Sequence, residues 1–345
     1  MPSMHMRRII SASVLLAAAL AGISCKKTEE APEGTSAAGT GSGIDALIQF
    51  RGDTRQLYNS RKFADLEKTA DRVRSGKERF GDGDWKIYHF YQALECREDE
   101  PESMWKLHEE IHKEWEKQFP QSITARVAHA EFLTTYAWHA RTDKTADKVT
   151  EEGWRLFRER LAGALAVLDQ AKALKPSCPM WWHVRQTVAL GQGWPRAEYD
   201  ALFTEAKAFE PEFYRYDFSR AKYLLPRWHG QPGEWEKAAS DQIPLQGATG
   251  SEIYARVVCE MATYCESVFG ETDASWRKTR KGFDDLRVHY PASNELLNSY
   301  CRMACFAGDR EQAKTLFNEI GENQAPTAWR KNEFERAKAW AMSGK

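Results

Sequence analysis

The sequence has no surplus charge of either sign. Its 345 residues carry 49 Lys+Arg against 50 Asp+Glu. Without a net field there is little to draw the chain to a nucleic-acid backbone, so nucleic acid is not an expected partner. Runs of alternating Val, Ile and Thr are also missing, which argues against strands. There is no Gly-x-Ser-x-Gly, no phosphate-binding glycine loop and no dinucleotide fingerprint, which removes the commonest signatures of esterase, nucleotide and dehydrogenase chemistry. Apolar runs are scarce too. The only long one lies between Ile9 and Ile23, and at about 15 residues it is short for a membrane span.

That run has a specific setting. Arg7 and Arg8 precede it and Cys25 follows it. A basic start, a short apolar stretch and small residues before a cleavage point form a secretory signal. The phrase "LAGIS" before Cys25 resembles a bacterial lipoprotein signal, which implies that the cysteine becomes a lipidated first residue. Gly22 departs from the leucine usual three positions before the cysteine. Lys26, rather than Asp, follows it, which by resemblance to sorting rules favours the outer membrane. The expected address is the cell envelope: an outer-membrane lipoprotein facing the periplasm, held to the membrane through its N-terminal lipid, with a plain secreted product or an uncleaved membrane anchor as the alternative. Residues 1–24 are expected to be the signal. Residues 25–43 ("CKKTEEAPEGTSAAGTGSG") read as a polar tether that cannot bury enough apolar surface to order itself. The folded body is expected over 44–345, with a candidate sub-boundary near 245.

Six further cysteines, Cys96, Cys178, Cys259, Cys265, Cys301 and Cys305, sit in that body. Export permits disulfides, but no Cys-x-x-Cys pair points to zinc. The favoured expectation is small buried side chains, with one or two disulfides as the alternative.

From residue 44 onwards apolar residues recur every three or four positions, the period of a helix packed on one face. In "GWRLFRERLAGALAVLDQAKAL" the stripe is Trp154, Leu156, Phe157, Leu161, Leu165, Leu168 and Leu174. Short breaks punctuate the pattern: "KPSCP", "GQGWP", "EPEF", "HGQPG" and "AGDR". "LDQAKALKP" and "FTEAKAFEP" place the same Ala-Lys-Ala frame before prolines 35 residues apart, at Pro176 and Pro211. A period near 34 indicates stacked helix–turn–helix units, each covering a face its neighbour cannot cover alone. The Ala and Phe spacing in the second helices resembles the tetratricopeptide repeat, although the stretch from Pro211 to Pro291 breaks the period. The expected fold is all-α: an irregular tetratricopeptide-like array of antiparallel helix pairs, an α-solenoid.

Several long phrases, among them "RKFADLEKTADRVRSGKERFGDGDWKIYHFYQAL", "ARVAHAEFLTTYAWHAR" and "YLLPRWHGQPGEWEKAA", resemble in their order a bacterial family of exported or membrane-tethered helical proteins with tetratricopeptide-like pairs and an LLPRWxGxPGEWE signature. His229 stands where a small residue is expected. The resemblance implies fold and class and adds no catalytic residue. Within the signature, Arg227, Trp228, Glu234 and Trp235 are the candidate binding or structural residues. Arg227 is expected to cap the helix that Pro226 terminates, to pair with Glu234 or to stack on Trp228. The bland reading is a rigid corner between pairs, and the sharper one is a ligand contact.

One motif points elsewhere. "LHEEIHKEW" contains His108-Glu109-x-x-His112, which puts two imidazoles on one helix face with a glutamate beside them, as in zinc peptidases. Glu131 is the candidate third ligand, 19 residues after His112. Met104, Leu107, Ile111 and Trp115 supply an apolar stripe, with His108 inside it beside Trp115 and His112 on its edge near Trp105, that explains the helix without a metal. No cofactor or metal is therefore expected. The expected function is a non-catalytic module that binds a protein or peptide partner. A zinc-dependent hydrolase on His108, Glu109 and His112 is the first alternative. A groove lined by Trp138, Trp154, Trp182 and Trp228, binding glycan or another small ligand, is the second.

Overall fold

A computed structural model describes residues 43–142, 145–173 and 177–343. The signal, Cys25 and nearly all of the tether lie outside the described residues. Everything described is helix, turn or loop; the one β-bridge joins Arg79 and Trp85. The all-α expectation holds.

Sixteen α-helices follow one another in pairs. The first pair is α1 (Gly43–Asn59) and α2 (Phe63–Ser75), the second α3 (Lys86–Gln92) and α4 (Glu102–Gln118), and the third α5 (Ile123–Arg141) and α6 (Glu151–Ala173). Next come α7 (Pro179–Gln192) with α8 (Arg196–Phe209), then α9 (Arg215–Tyr223) with α10 (Glu234–Leu245). Then α11 (Gly250–Met261) pairs with α13 (Trp276–His289) across the single turn of α12 (Val268–Glu271). The last pair is α14 (Asn294–Phe306) with α15 (Arg310–Ile320), and α16 (Glu333–Met342) covers its open side.

The contacts have a solenoid's logic. Helix α5 touches both its partner α6 and the next odd helix α7; α7 touches α9, and α9 touches α11. This makes an inner row of α5, α7, α9 and α11, backed by an outer row of α6, α8, α10 and α13. The two Ala-Lys-Ala frames fall on α6 and α8, successive outer helices. The stretch from Pro211 to Pro291 is filled by two ordinary pairs, so the array continues where the sequence period fails. A short α9 and the added α12 shift the register without breaking the stack.

Local chemistry sets the ends. Pro179 opens α7 at a position that needs no N–H. Gly193, at φ 68°, closes α7 in the left-handed conformation that glycine adopts without a Cβ clash. Ser122, Ser275, Ser293 and Asp309 accept backbone N–H groups at the starts of α5, α13, α14 and α15. The outer helices bury small and large residues alternately: Leu161, Ala164, Leu168 and Ala171 on α6, and Tyr199, Leu202, Phe203 and Ala206 on α8.

The array curves back on itself. Helix α1 meets α14, where the Ile44 N–H donates to Glu295 at 3.1 Å. The loop between α2 and α3 lies across the same seam. Its Lys77 pairs with Glu210 at 2.7 Å, its Asp82 carbonyl accepts from Arg256, and Arg79 lies over the Trp85 ring at 4.2 Å. Gly83, at φ 83°, has no room for a side chain: a Cβ there would sit 2.5 Å from the Tyr290 ring. A cleft of about 220 Å³ remains at the seam, lined by Phe80, Asp82, Asp84, His89, Glu295 and Ser299 among others. Its carboxylates serve the joint. Asp84 holds His89 and Arg215, and Glu295 holds the start of α1.

Candidate functional site

The His-Glu-x-x-His helix is α4, and its buried face differs from the expected stripe. Trp105, His108, Ile111, His112 and Trp115 are buried, whereas Leu107 is 36% exposed. At about 100° per residue these five positions span about 120°, with His108 at the centre. Burying two histidines rather than Leu107 follows from their neighbours on α1 and α5. His112 packs against Tyr58, Phe132 and His129, and His108 stacks on Phe132 while its Nδ1 lies 3.3 Å from the Tyr58 hydroxyl. Burial holds His108 at about 4 and pushes His112 well below its usual range, helped by His129 and His108. Both ring nitrogens of His112 are buried without a partner. Glu109 turns away and pairs with Lys113 at 2.5 Å. Glu131 does not join the histidines, and among the described residues no group of three ligating side chains is arranged to hold a metal.

Glu131 instead belongs to the inner row. It lies near Glu95 at the end of α3, and both carboxyls are pushed upward, Glu131 by burial and then by Glu95, Glu95 by burial that Arg51 and Arg55 only partly offset. Seven residues further along the same face of α5 stands Trp138. On α9, Arg215 and Lys222 repeat that spacing. His183 on α7 lies between the elements; its Nδ1 is 3.0 Å from the Ser219 hydroxyl, and burial, Arg215 and Lys222 hold it at about 3. Glu260 on α11 faces this group, within electrostatic reach of Tyr88, Arg215, Lys222 and Tyr264. The inner row thus presents one continuous polar face.

At one end of that face three of the quoted phrases meet. Trp138 and Arg141 come from "YAWHAR", Trp154 from "EEGWRLF", and Arg227 and Trp228 from the LLPRW signature. The rings of Trp138 and Trp228 meet edge to face, 5.4 Å apart. The Arg141 guanidinium lies 5.7, 5.5 and 5.4 Å from the centres of Trp138, Trp154 and Trp228, within range of cation–π attraction to each. Lys222 points its ammonium at the same Trp138 ring, at 5.6 Å, and Arg227 lies 4.7 Å from the ring of Tyr264. Lys222 is half-buried. Burial depresses its pKa, Glu260 opposes that and Arg227 reinforces it. Neither Lys222, Arg227 nor Glu260 makes an ion pair among the described residues.

The signature therefore splits. Arg227 and Trp228 face this corner, and Arg227 neither pairs with Glu234 nor stacks on Trp228. Helix α9 ends at Tyr223, so Pro226 already lies in the turn. Glu234 binds Arg196 at 3.2 Å and the Gln231 N–H at 2.8 Å, fastening the loop, and Trp235 is buried. The loop glycines are obligatory: a Cβ on Gly230 would fall 2.0 Å from the Leu224 carbonyl oxygen, and Gly233 has φ 84°. His229, the departure from the signature, reaches across to the Leu190 carbonyl at 3.0 Å.

Of the four candidate groove tryptophans, Trp138, Trp154 and Trp228 converge, each partly exposed. Trp182 stands apart, edge-on to Trp181. Lys222, Glu260 and Tyr264 were not singled out from sequence; α9 ("RYDFSRAKY") is polar along its length, so nothing in it marks Lys222 apart from Arg220 or Asp217. The six body cysteines are all free thiols. No known protein family, curated protein or solved structure matches the chain.

Proposed function

We propose that this chain is an envelope-tethered helical-repeat protein whose inner face binds a segment of another polypeptide, without catalysing a reaction. The observation that carries the reading is that Lys222 and Glu260 on the inner row, and Arg227 in the loop beside them, make no ion pair among the described residues, and neither does the buried carboxyl of Glu131. Partly buried charges without partners are costly to keep, and a partner that supplies the complementary groups recovers that cost. Arrays of helix pairs offer such faces to extended peptides or helices. Lipid on Cys25 would hold the module at the membrane, facing the periplasm, as the N-terminal sequence suggests.

The test is affinity capture from envelope extracts with the full chain, compared with Lys222→Glu and Glu131→Lys forms of equal thermal stability. The reading expects a partner held by the natural chain and lost with either reversal. Capture that is identical in all three forms would reject the inner face. Mass spectrometry of the mature N-terminus tests the anchor, and an unmodified Cys25 rejects it.

A further inference from the structure

We propose that the corner formed by Arg141, Lys222 and Arg227, walled by Trp138, Trp228 and Tyr264, is a carboxylate-binding subsite for the polypeptide partner. This rests on the inner face being a peptide-binding surface and names what one end of it recognises.

Three observations converge. First, three cationic groups from α5, α9 and the loop after α9 are gathered here, and Glu260 is the one carboxylate among the described residues that acts on Lys222, so Lys222 and Arg227 together outnumber it in a chain with no surplus of positive charge overall. The cations act on one another: Arg227 disfavours the charged forms of both Arg141 and Lys222. An incoming anion relieves that repulsion. Secondly, Lys222 has three donor hydrogens and Arg227 five, and no acceptor within the described residues takes one from either side chain. Elsewhere on the inner row the cations are satisfied. Arg215 donates to Asp84 at 2.6 Å, and the side chain of Arg256 donates to the Asp82 carbonyl. The contrast marks the corner as built for something outside the chain.

Thirdly, the walls are aromatic. Trp138 lies beside the Lys222 ammonium and Tyr264 beside the Arg227 guanidinium, and the partial burial of Lys222 strengthens a charge-assisted hydrogen bond made there. They also provide an apolar surface beside the cations, fitting a carboxylate next to an aliphatic or aromatic side chain. Trp138 and Trp228 hide their indole N–H groups and leave part of each side chain exposed, so the walls offer carbon surface rather than donors. A peptide supplies this chemistry in two ways, as an Asp or Glu side chain or as its terminal carboxylate.

The experiment passes a synthetic random dodecapeptide library over the immobilised full chain and reads retained peptides by mass spectrometry. It is repeated with a C-terminally amidated library and with a methyl-esterified one. The subsite predicts retained peptides enriched in carboxylates, with that enrichment abolished by esterification. It also predicts about a ten-fold or greater weakening in the Lys222→Gln, Arg227→Gln double variant, from the loss of charge-assisted contacts. The Lys222→Arg and Arg227→Lys single variants keep the charge and should retain most of the binding; a double variant that loses it while melting like the natural chain excludes misfolding. Loss on amidation assigns the subsite to chain termini, and persistence assigns it to acidic side chains. Peptides retained without carboxylate enrichment, or enrichment unchanged in the double variant, would overturn the subsite while leaving a peptide-binding face intact. Retention no better than on bare resin would overturn both.

Discussion

The guanidinium carbon of Arg215 lies 3.8 Å from the centre of the Tyr88 ring. Helices α9 and α3 are far apart in the chain, and this contact joins them where the array closes. Asp84 completes the joint. It accepts from Arg215 at 2.6 Å and from His89 at 2.8 Å, and it also takes the Tyr214 hydroxyl. Burial alone would raise its pKa, but Arg215, His89 and Tyr214 together hold the carboxyl well below the usual range.

Removing Asp84 should therefore be expensive. Asp84→Ala leaves Arg215 buried without its counter-ion, and such losses cost about 3–5 kcal/mol. The expected result is a clear fall in the urea midpoint. A change of less than about 0.5 kcal/mol, the size of an ordinary surface substitution, would show that the joint carries no load.

Gly230→Ala should destabilise by about 1–3 kcal/mol, as overpacking does, because the new methyl meets the Leu224 carbonyl oxygen at 2.0 Å. Gly81→Ala is the control: like Gly230 it lies outside the positive-φ region, but it has open space around it. If the two variants melt alike, close approach is not what fixes the glycine of the LLPRW loop.

His112 gives a pH dependence of known sign. Its folded pKa is depressed, so the unfolded chain binds the proton first, and stability is lost as pH falls below the unfolded value of about 6.5. His108 adds to the same loss down to about 4. His112→Phe keeps a ring against Tyr58 and Phe132 and removes two unpartnered nitrogens. It should raise the urea midpoint at pH 7, by up to about 1–3 kcal/mol, and by more at pH 5. A variant that is less stable than the natural chain at both values would mean that the imidazole nitrogens are satisfied after all.

Glu131 carries the opposite sign. Its folded pKa is raised, so folding favours the protonated form, and the penalty grows as pH rises above the unfolded carboxyl value of about 4.3. Glu131→Gln should stabilise the fold at pH 8 and have little effect at pH 4. Chemical denaturation at the two pH values decides it, and an equal effect at both would remove the carboxyl pair from the account.

The helices and most of their ends were legible because they depend on local chemistry. Pro179, Gly193 and the serine caps act within one turn. The stripe on α4 was legible at His108, Ile111 and Trp115 but was centred too far towards Leu107 and Met104, since only Tyr58, Phe132 and His129 make the histidine face the better fit. Arg227 was singled out with partners that the structure does not give it. Its ring is Tyr264, 37 residues away on the chain, beyond any local rule. The corner was legible in pieces, as Trp138, Trp154 and Trp228. Lys222 was missed because a lysine in an amphipathic helix normally faces water, and only the curvature of the array turns this one inward.

That curvature has a further consequence. A string of repeats frays from its loose ends, losing one unit at a time. Here the first helix is fastened to the seventh pair, by a bond between residues 251 positions apart. It cannot peel away without opening the arch, and the loop from Gly76 to Trp85 sits in it as a keystone. Among the described residues only α16 remains as an edge to fray. Melting should therefore proceed in one concerted step rather than pair by pair, with heat, urea and near-ultraviolet signals reporting the same transition.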